Sequence, residues 1–189
     1  DALDSGRADV VVTALPMGTG SNPGYDYAGP YLVASQGLMV RKRDLGSIVD
    51  AASLSGRRVC TVAGSGAARG VSSRASTAVV SQRDGYQKCL TALMVGEADA
   101  VSGDDAVLAG LVADKGAGLL SMASWRFSRS VHAVAVRSGQ SRLVAQIRRA
   151  LTSMVDDGSW RTAMDELVSS TGYRRGTSIP RPAISSYTE

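Results

Sequence analysis

Apolar residues fall in short runs broken by glycine, proline and serine, and the period within each run predicts its element. Ala8 to Leu15, ADVVVTAL, is a continuous apolar run of buried-strand length, and Pro16 ends it. After the loop PMGTGSNPG, the stretch YDYAGPYLVASQGLMVRK opens as an aromatic turn and becomes extended up to Lys42. Ser47 to Leu54 predicts a short helix and Arg58 to Val62 a strand, after which the turn at Gly64–Gly66 opens another helix. Thr77 to Ser81 reads as a strand, and Gly85 to Val95 as a helix with Leu90, Leu93 and Met94 on one face. ADAVSG is strand-like, and DDAVLAGLVADKG is a helix with acid at its start and Gly116 at its end. Such alternation predicts a mostly parallel sheet with helices on both faces. Past the loop SWRFSRS, VHAVAVRSG gives another strand, and helices over Ser141–Asp156 and Ser159–Ser169 flank the turn DDGS. The tail GYRRGTSIPRPAISSYTE holds two prolines and is expected to lie extended on the surface.

Composition narrows the class. With 189 residues, 44% hydrophobic and 20% charged, the chain reads as globular, with one or two compact units. No run of about 18 apolar residues exists, so no membrane-spanning helix is predicted. The opening DALDSGRADVVV lacks a charged-then-apolar leader and reads as the middle of a domain. The net charge of +4 comes from arginine, since lysine occurs only at Lys42, Lys88 and Lys115. With abundant Ala, Gly and Val, that bias points to a GC-rich genome and not to a nucleic-acid partner. Arg142, Arg148 and Arg149 alternate with Leu143, Val144, Ile147 and Leu151 at helical period, which predicts a solvated helix face.

One stretch carries candidate chemistry. In VCTVAGSGAARG a glycine-flanked serine follows a strand and opens a helix, where backbone N–H groups stabilise an anion. The same residues also suit a plain strand-to-helix turn. The stretch has neither the lysine of a phosphate loop nor the three-glycine spacing of a dinucleotide site. Cys60 and Cys89 read either as buried free thiols or as a disulfide. No metal site is expected, because the single histidine, His132, is remote in sequence and four ligands are wanted. Trp125 and Trp160 read as structural.

Taken in order, SGRADVVVTAL, DYAGPYLVASQGLMVRK, LSGRRVCTVAGS, YQKCLTALMVGEADAVSGDDAVLAG, AVAVRSG and IRRALTSMVDDGSW resemble the extracellular solute-binding proteins that serve ABC transporters for polar amino acids. The paired cysteines and the DDAVLAG helix start are most similar to the glutamate and glutamine branch. The resemblance implies an α/β, two-lobed, periplasmic-binding-protein-like fold of type 2, with ligand clamped by hinge closure. It implies a complete second lobe over 42–130 and a partial first lobe from 1–41 and 131–189, short of the family's leading strand, helix and strand. It also implies a small polar amino acid as ligand, an ABC permease in the membrane as partner, no cofactor and no nucleic acid. A monomer is expected, extracellular and anchored at the cell surface, as a lipoprotein through the preceding region.

For the site, the resemblance implies that Asp104 holds the ligand ammonium and that Gly64, Ser65 and Gly66 hold its carboxylate. It places Ala14, Ser21 and Tyr27 as the first-lobe positions, and it pairs Cys60 with Cys89. Asp104 also suits a helix N-cap, and Tyr27 suits lobe packing as well as ligand stacking. The sequence departs from the family at two places: the usual arginine of the first-lobe loop is Ser21 and the usual threonine is Pro16. A serine cannot replace a guanidinium fork. Either another arginine serves, with Arg69 and Arg74 as candidates, or the ligand is not an ordinary α-amino acid, or binding is lost. A sensing or interaction domain with a degenerate site is therefore the second reading. An enzyme is not expected, because Asp104 has no evident acid/base partner.

Overall fold

The structure is a computed structural model that describes residues 2–14 and 23–173. They group into two compact units, one made of the described residues up to Ala34 with Ser130–Val168, the other of Ser35–Arg129 with Ser169–Tyr173.

In the first unit, β1 (Val11–Ala14) pairs antiparallel with β7 (Phe127–Arg137), from Val11 opposite Ala135 to Ala14 opposite His132. The long strand β2 (Tyr25–Arg41) begins in this unit and ends in the other, as β7 does in reverse. The aromatic stretch expected as a turn is already strand from Tyr25. Its Tyr25 hydroxyl donates to both carboxylate oxygens of Asp4 at 2.9 Å. Two helices follow β7, α4 (Ser141–Asp156) and α5 (Ser159–Thr171), and α4 occupies the span predicted from its period. Arg142 and Arg149 are exposed, while Leu143, Val144, Ile147 and Leu151 are only half-buried, so no residue of α4 reaches a buried position. Trp160 is structural: its indole Nε1 donates to the Tyr31 carbonyl at 3.0 Å. His132 is buried in β7 with its ring edge-on to Tyr31.

The second unit holds a sheet ordered β6–β2–β5–β3–β4, where β3 is Arg58–Val62, β4 Val79–Arg83, β5 Ala100–Asp104 and β6 Leu120–Met122. Its strands alternate side chains between two faces, as extended chain must. Leu38, Val40, Val59 and Ala100 join Val71 of helix α1 (Ala67–Arg74) in one cluster. Met39, Cys60 and Val101 join Leu90 and Leu93 of α2 (Tyr86–Met94) and Leu108 of α3 (Asp105–Lys115) in the other. Burial on both faces explains why these strands read as nearly continuous apolar runs.

Several expectations need correction. The sheet is mixed: β4, β3 and β5 run parallel, but β2 meets β5 and β6 antiparallel, and β1 meets β7 likewise. The helix expected over Ser47–Leu54 is two 3₁₀ turns, Lys42–Ser47 and Ala52–Leu54. Between them the Ser53 hydroxyl accepts from the N–H groups of Val49 and Asp50, and Asp50 accepts from the Ser53 N–H, a local pattern that competes with helix. The strand placed at Thr77–Ser81 sits two residues later, because its register with β3 starts at Val79. Met94 is 44% exposed, not part of the apolar face of α2. The expected loop SWRFSRS becomes strand at Phe127, whose ring stacks on Trp125. Tyr173, in the expected surface tail, is buried; residues 174–189 lie outside the described residues.

Cys60 of β3 and Cys89 of α2 form a disulfide with their Cα atoms 5.5 Å apart. At the start of β5 the Asp99 carboxylate takes the Arg58 side chain at 2.8 Å and the Arg58 N–H at 2.9 Å, with Arg41 at 3.5 Å. The bond from Arg58 is the main reason its pKa drops from 3.8 to about 2. A depressed folded pKa means stability that is present above pH 4 and fades as pH falls toward 2. Asp99→Asn should therefore cost roughly 2 kcal/mol at pH 7 and converge on the wild type near pH 2. Urea unfolding at pH 7, 4 and 2 checks this, and a pH-independent difference would refute it.

Candidate functional site

The candidate residues of the second unit come together because β3 and β5 are parallel neighbours. Thr61 lies opposite Ser102, so the chain leaves both strands at one edge of the sheet, into Gly64–Gly66 from β3 and into Asp104 from β5. Ligands of open α/β sheets gather at this carboxyl edge.

The turn after β3 has Gly64 at φ +76° and Gly66 at φ +73°, a region that L side chains rarely adopt. All of Gly64, Ser65 and Gly66 are exposed. The Ser65 hydroxyl is used inside the turn, donating to the Val62 carbonyl at 2.7 Å and accepting from the Ala67 N–H at 3.3 Å. Helix α1 then begins at Ala67 with no side-chain cap, so the first-turn N–H groups beside the turn have no capping oxygen from Gly66.

Asp104 is the N-cap of α3. Its Oδ1 accepts from the N–H groups of Ala106 and Val107 at 3.1 and 3.2 Å. The capping role foreseen as an alternative is thus present, and it fixes the carboxylate orientation. Tyr86, the first residue of α2, lies against it. Burial first and the Asp104 charge second raise its phenol pKa. Gly103 makes this possible, since a Cβ there would sit 2.4 Å from the Tyr86 hydroxyl.

The next residue, Asp105, is completely buried. Its Oδ1 accepts from the Ser35 N–H at 3.1 Å and its Oδ2 from Arg126 Nε at 3.0 Å. Burial pushes its pKa up, against the pull of the Ser35 N–H and Arg126. Arg126 also donates to the carbonyls of Ala123 and Trp125.

The remaining site candidates lie in the first unit. Ala14 ends β1, and Tyr27 is half-buried in β2, where its carbonyl accepts from Arg148 at 3.3 Å. Ser21 and Pro16 lie outside the described residues. Sequence reasoning missed Tyr86 and the Asp105–Arg126 pair. Their one signal was Gly103, an isolated glycine at the end of a strand, which marks close approach of another group. Among the described residues no group of three His, Cys, Asp or Glu side chains could hold a metal ion.

Residues 1–168 match the profile of the bacterial extracellular solute-binding proteins, family 3. The chain is 29% identical over 160 residues to the ABC transporter glutamine-binding protein GlnH of Bacillus subtilis, covering 84% of this chain and 57% of that protein. It is 24% identical over 170 residues to the glutamate-binding protein GluB of Corynebacterium efficiens, covering 87% and 57%. It therefore spans little more than half the length of these two relatives. Among solved structures, an ancestral arginine-binding protein bound to glutamine superposes with a TM-score of 0.76 at 29% identity, covering 91% of this chain and 75% of that one.

Proposed function

The chain belongs to the bacterial extracellular solute-binding proteins of family 3, and from that premise we propose that it captures a polar amino acid of the glutamate or glutamine type for an ABC permease. The observation that carries this reading is the meeting of Asp104 with the Gly64–Gly66 turn at one carboxyl edge of the sheet. A zwitterionic amino acid needs an acceptor for its ammonium and donors for its carboxylate. A carboxylate oriented by its cap offers the first, and the exposed turn before an uncapped helix start offers the second. Glutamine and glutamate come from the names of the two relatives.

The compact units correspond, in this reading, to the two lobes of the family, with Ala14, Ser21 and Tyr27 as the contribution of the first. The protein acts as a monomer at the outer cell surface, held there as a lipoprotein. No helix among the described residues is long and apolar enough to cross a membrane.

Ser21 in place of the family's arginine removes a two-pronged carboxylate partner, so affinity should be low. We expect L-glutamate and L-glutamine to bind this chain at about millimolar strength, near −4 kcal/mol. Asp104→Ala should weaken that binding about tenfold or more, measured by NMR titration. Binding unaffected by the substitution would show the site to be elsewhere. Ser21 also supports the second reading, a sensing or interaction domain with a degenerate site, which gains if no amino acid binds.

A further inference from the structure

Helix α1, on which the turn depends, is poorly equipped to hold itself in place. It has eight residues, AARGVSSR, with a glycine and two serines inside it. Isolated helices this short are not stable in water, and glycine lowers helix stability by about 1 kcal/mol relative to alanine. Something outside the helix must fix its first turn on the sheet.

Gln36 occupies that position. It is a buried polar residue of β2, 7% exposed. Its Nε2 donates to the carbonyl of Ala67, the first residue of α1, at 2.8 Å and to the Ser102 hydroxyl of β5 at 2.8 Å. Ser102 in turn donates to the Gly37 carbonyl at 3.1 Å. The amide thus ties the start of α1 to the two strands beneath it. On the helix side, a Cβ at Gly70 would stand 1.8 Å from Gln36 Oε1, so the glycine that weakens the helix also makes room for the amide. The two residues form one device, since an alanine at 70 excludes the glutamine from its place.

We propose that Gln36 is the positioning residue of the anion-binding turn: through Ala67 it holds the Gly64–Gly66 backbone at the sheet edge beside Asp104. This rests on the functional reading above. Pre-organised donors bind better than donors that must be ordered on binding, so loosening the tether should weaken ligand without removing any group that touches it.

Gln36→Leu fills the volume and removes both bonds; Ser102→Ala removes one and serves if the leucine variant does not fold. Hydrogen exchange should be at least tenfold faster at the Ala67–Val71 amides in Gln36→Leu, with α2 amides unchanged. NMR titration with L-glutamine should show binding weakened about tenfold. Gly70→Ala should reproduce the fast exchange, and adding Gln36→Ala to it should restore thermal stability but not slow exchange. Unchanged exchange at Ala67–Val71 in both Gln36→Leu and Ser102→Ala would overturn the tether. Faster exchange with unaltered L-glutamine affinity would overturn the positioning role. A wild type that binds no amino acid would sink the functional reading instead, and the tether would then be decided by exchange alone.

Discussion

Reducing the Cys60–Cys89 disulfide is expected to be among the most costly single changes to this protein, lowering stability by about 3–4 kcal/mol. The bond closes a loop of 29 residues in sequence separation. In the chain-entropy account, a loop of that length restricts the unfolded chain by roughly this amount at 25 °C. The loop contains α1, β4 and the start of α2, and both sulfurs sit in the cluster of Met39, Leu93 and Leu108. Replacing both cysteines by alanine removes the crosslink and keeps the core apolar, while the two lost sulfur atoms add a smaller packing loss to the measured difference. Urea unfolding of the double variant beside the oxidised wild type gives the difference, and a loss under 1 kcal/mol would contradict this account. Free thiols in the denatured, unreduced protein would contradict the bond itself.

Asp105→Ala should cost about 3 kcal/mol, because it strands the groups gathered around a fully buried carboxylate. The Ser35 N–H and Arg126 each lose a partner, and a buried group left unpaired costs more than its bond contributed. Arg126 is a quarter exposed and partly recovers water, which places the loss at the low end for a broken buried pair. Asp105→Asn keeps an acceptor for Ser35 and should lose less. The pH dependence runs opposite to that of Asp99. Burial raises the folded pKa of Asp105, so its protonation is favoured by folding and its contribution declines as pH rises through that value. Thermal unfolding of the two variants at pH 7 is the measurement, and equal losses for alanine and asparagine would show that the bonds to Ser35 and Arg126 carry no weight.

Periodicity was enough where an element's own residues decide its form. Helix α4 runs over Ser141–Asp156 as its pattern indicates, and the two helices after β7 flank the DDGS turn as expected. The glycines around Ser65 marked a turn, and the positive φ at Gly64 and Gly66 is the physical need behind them. The acid before DDAVLAG marked a helix start, and Asp104 caps it. Periodicity failed where side chains bond their own backbone, as Ser53 does, and where a partner strand sets the boundary, as β3 does for β4.

What the sequence determined by itself, then, was the order of most elements, the two-faced burial of the central strands and the presence of a helix-opening turn and a helix-capping acid. These follow from side-chain periodicity and from local backbone chemistry, both confined to neighbours along the chain. Only the tertiary structure decided that the turn and the acid share one sheet edge, since that depends on Thr61 lying opposite Ser102 across a crossover of some forty residues. It alone decided that β2 runs antiparallel to β5, which sets Gln36 under α1 and Gly37 against Asp105 and Arg126. Pairing direction and register are settled by which arrangement buries both faces of the whole sheet, and no local stretch of sequence contains that information.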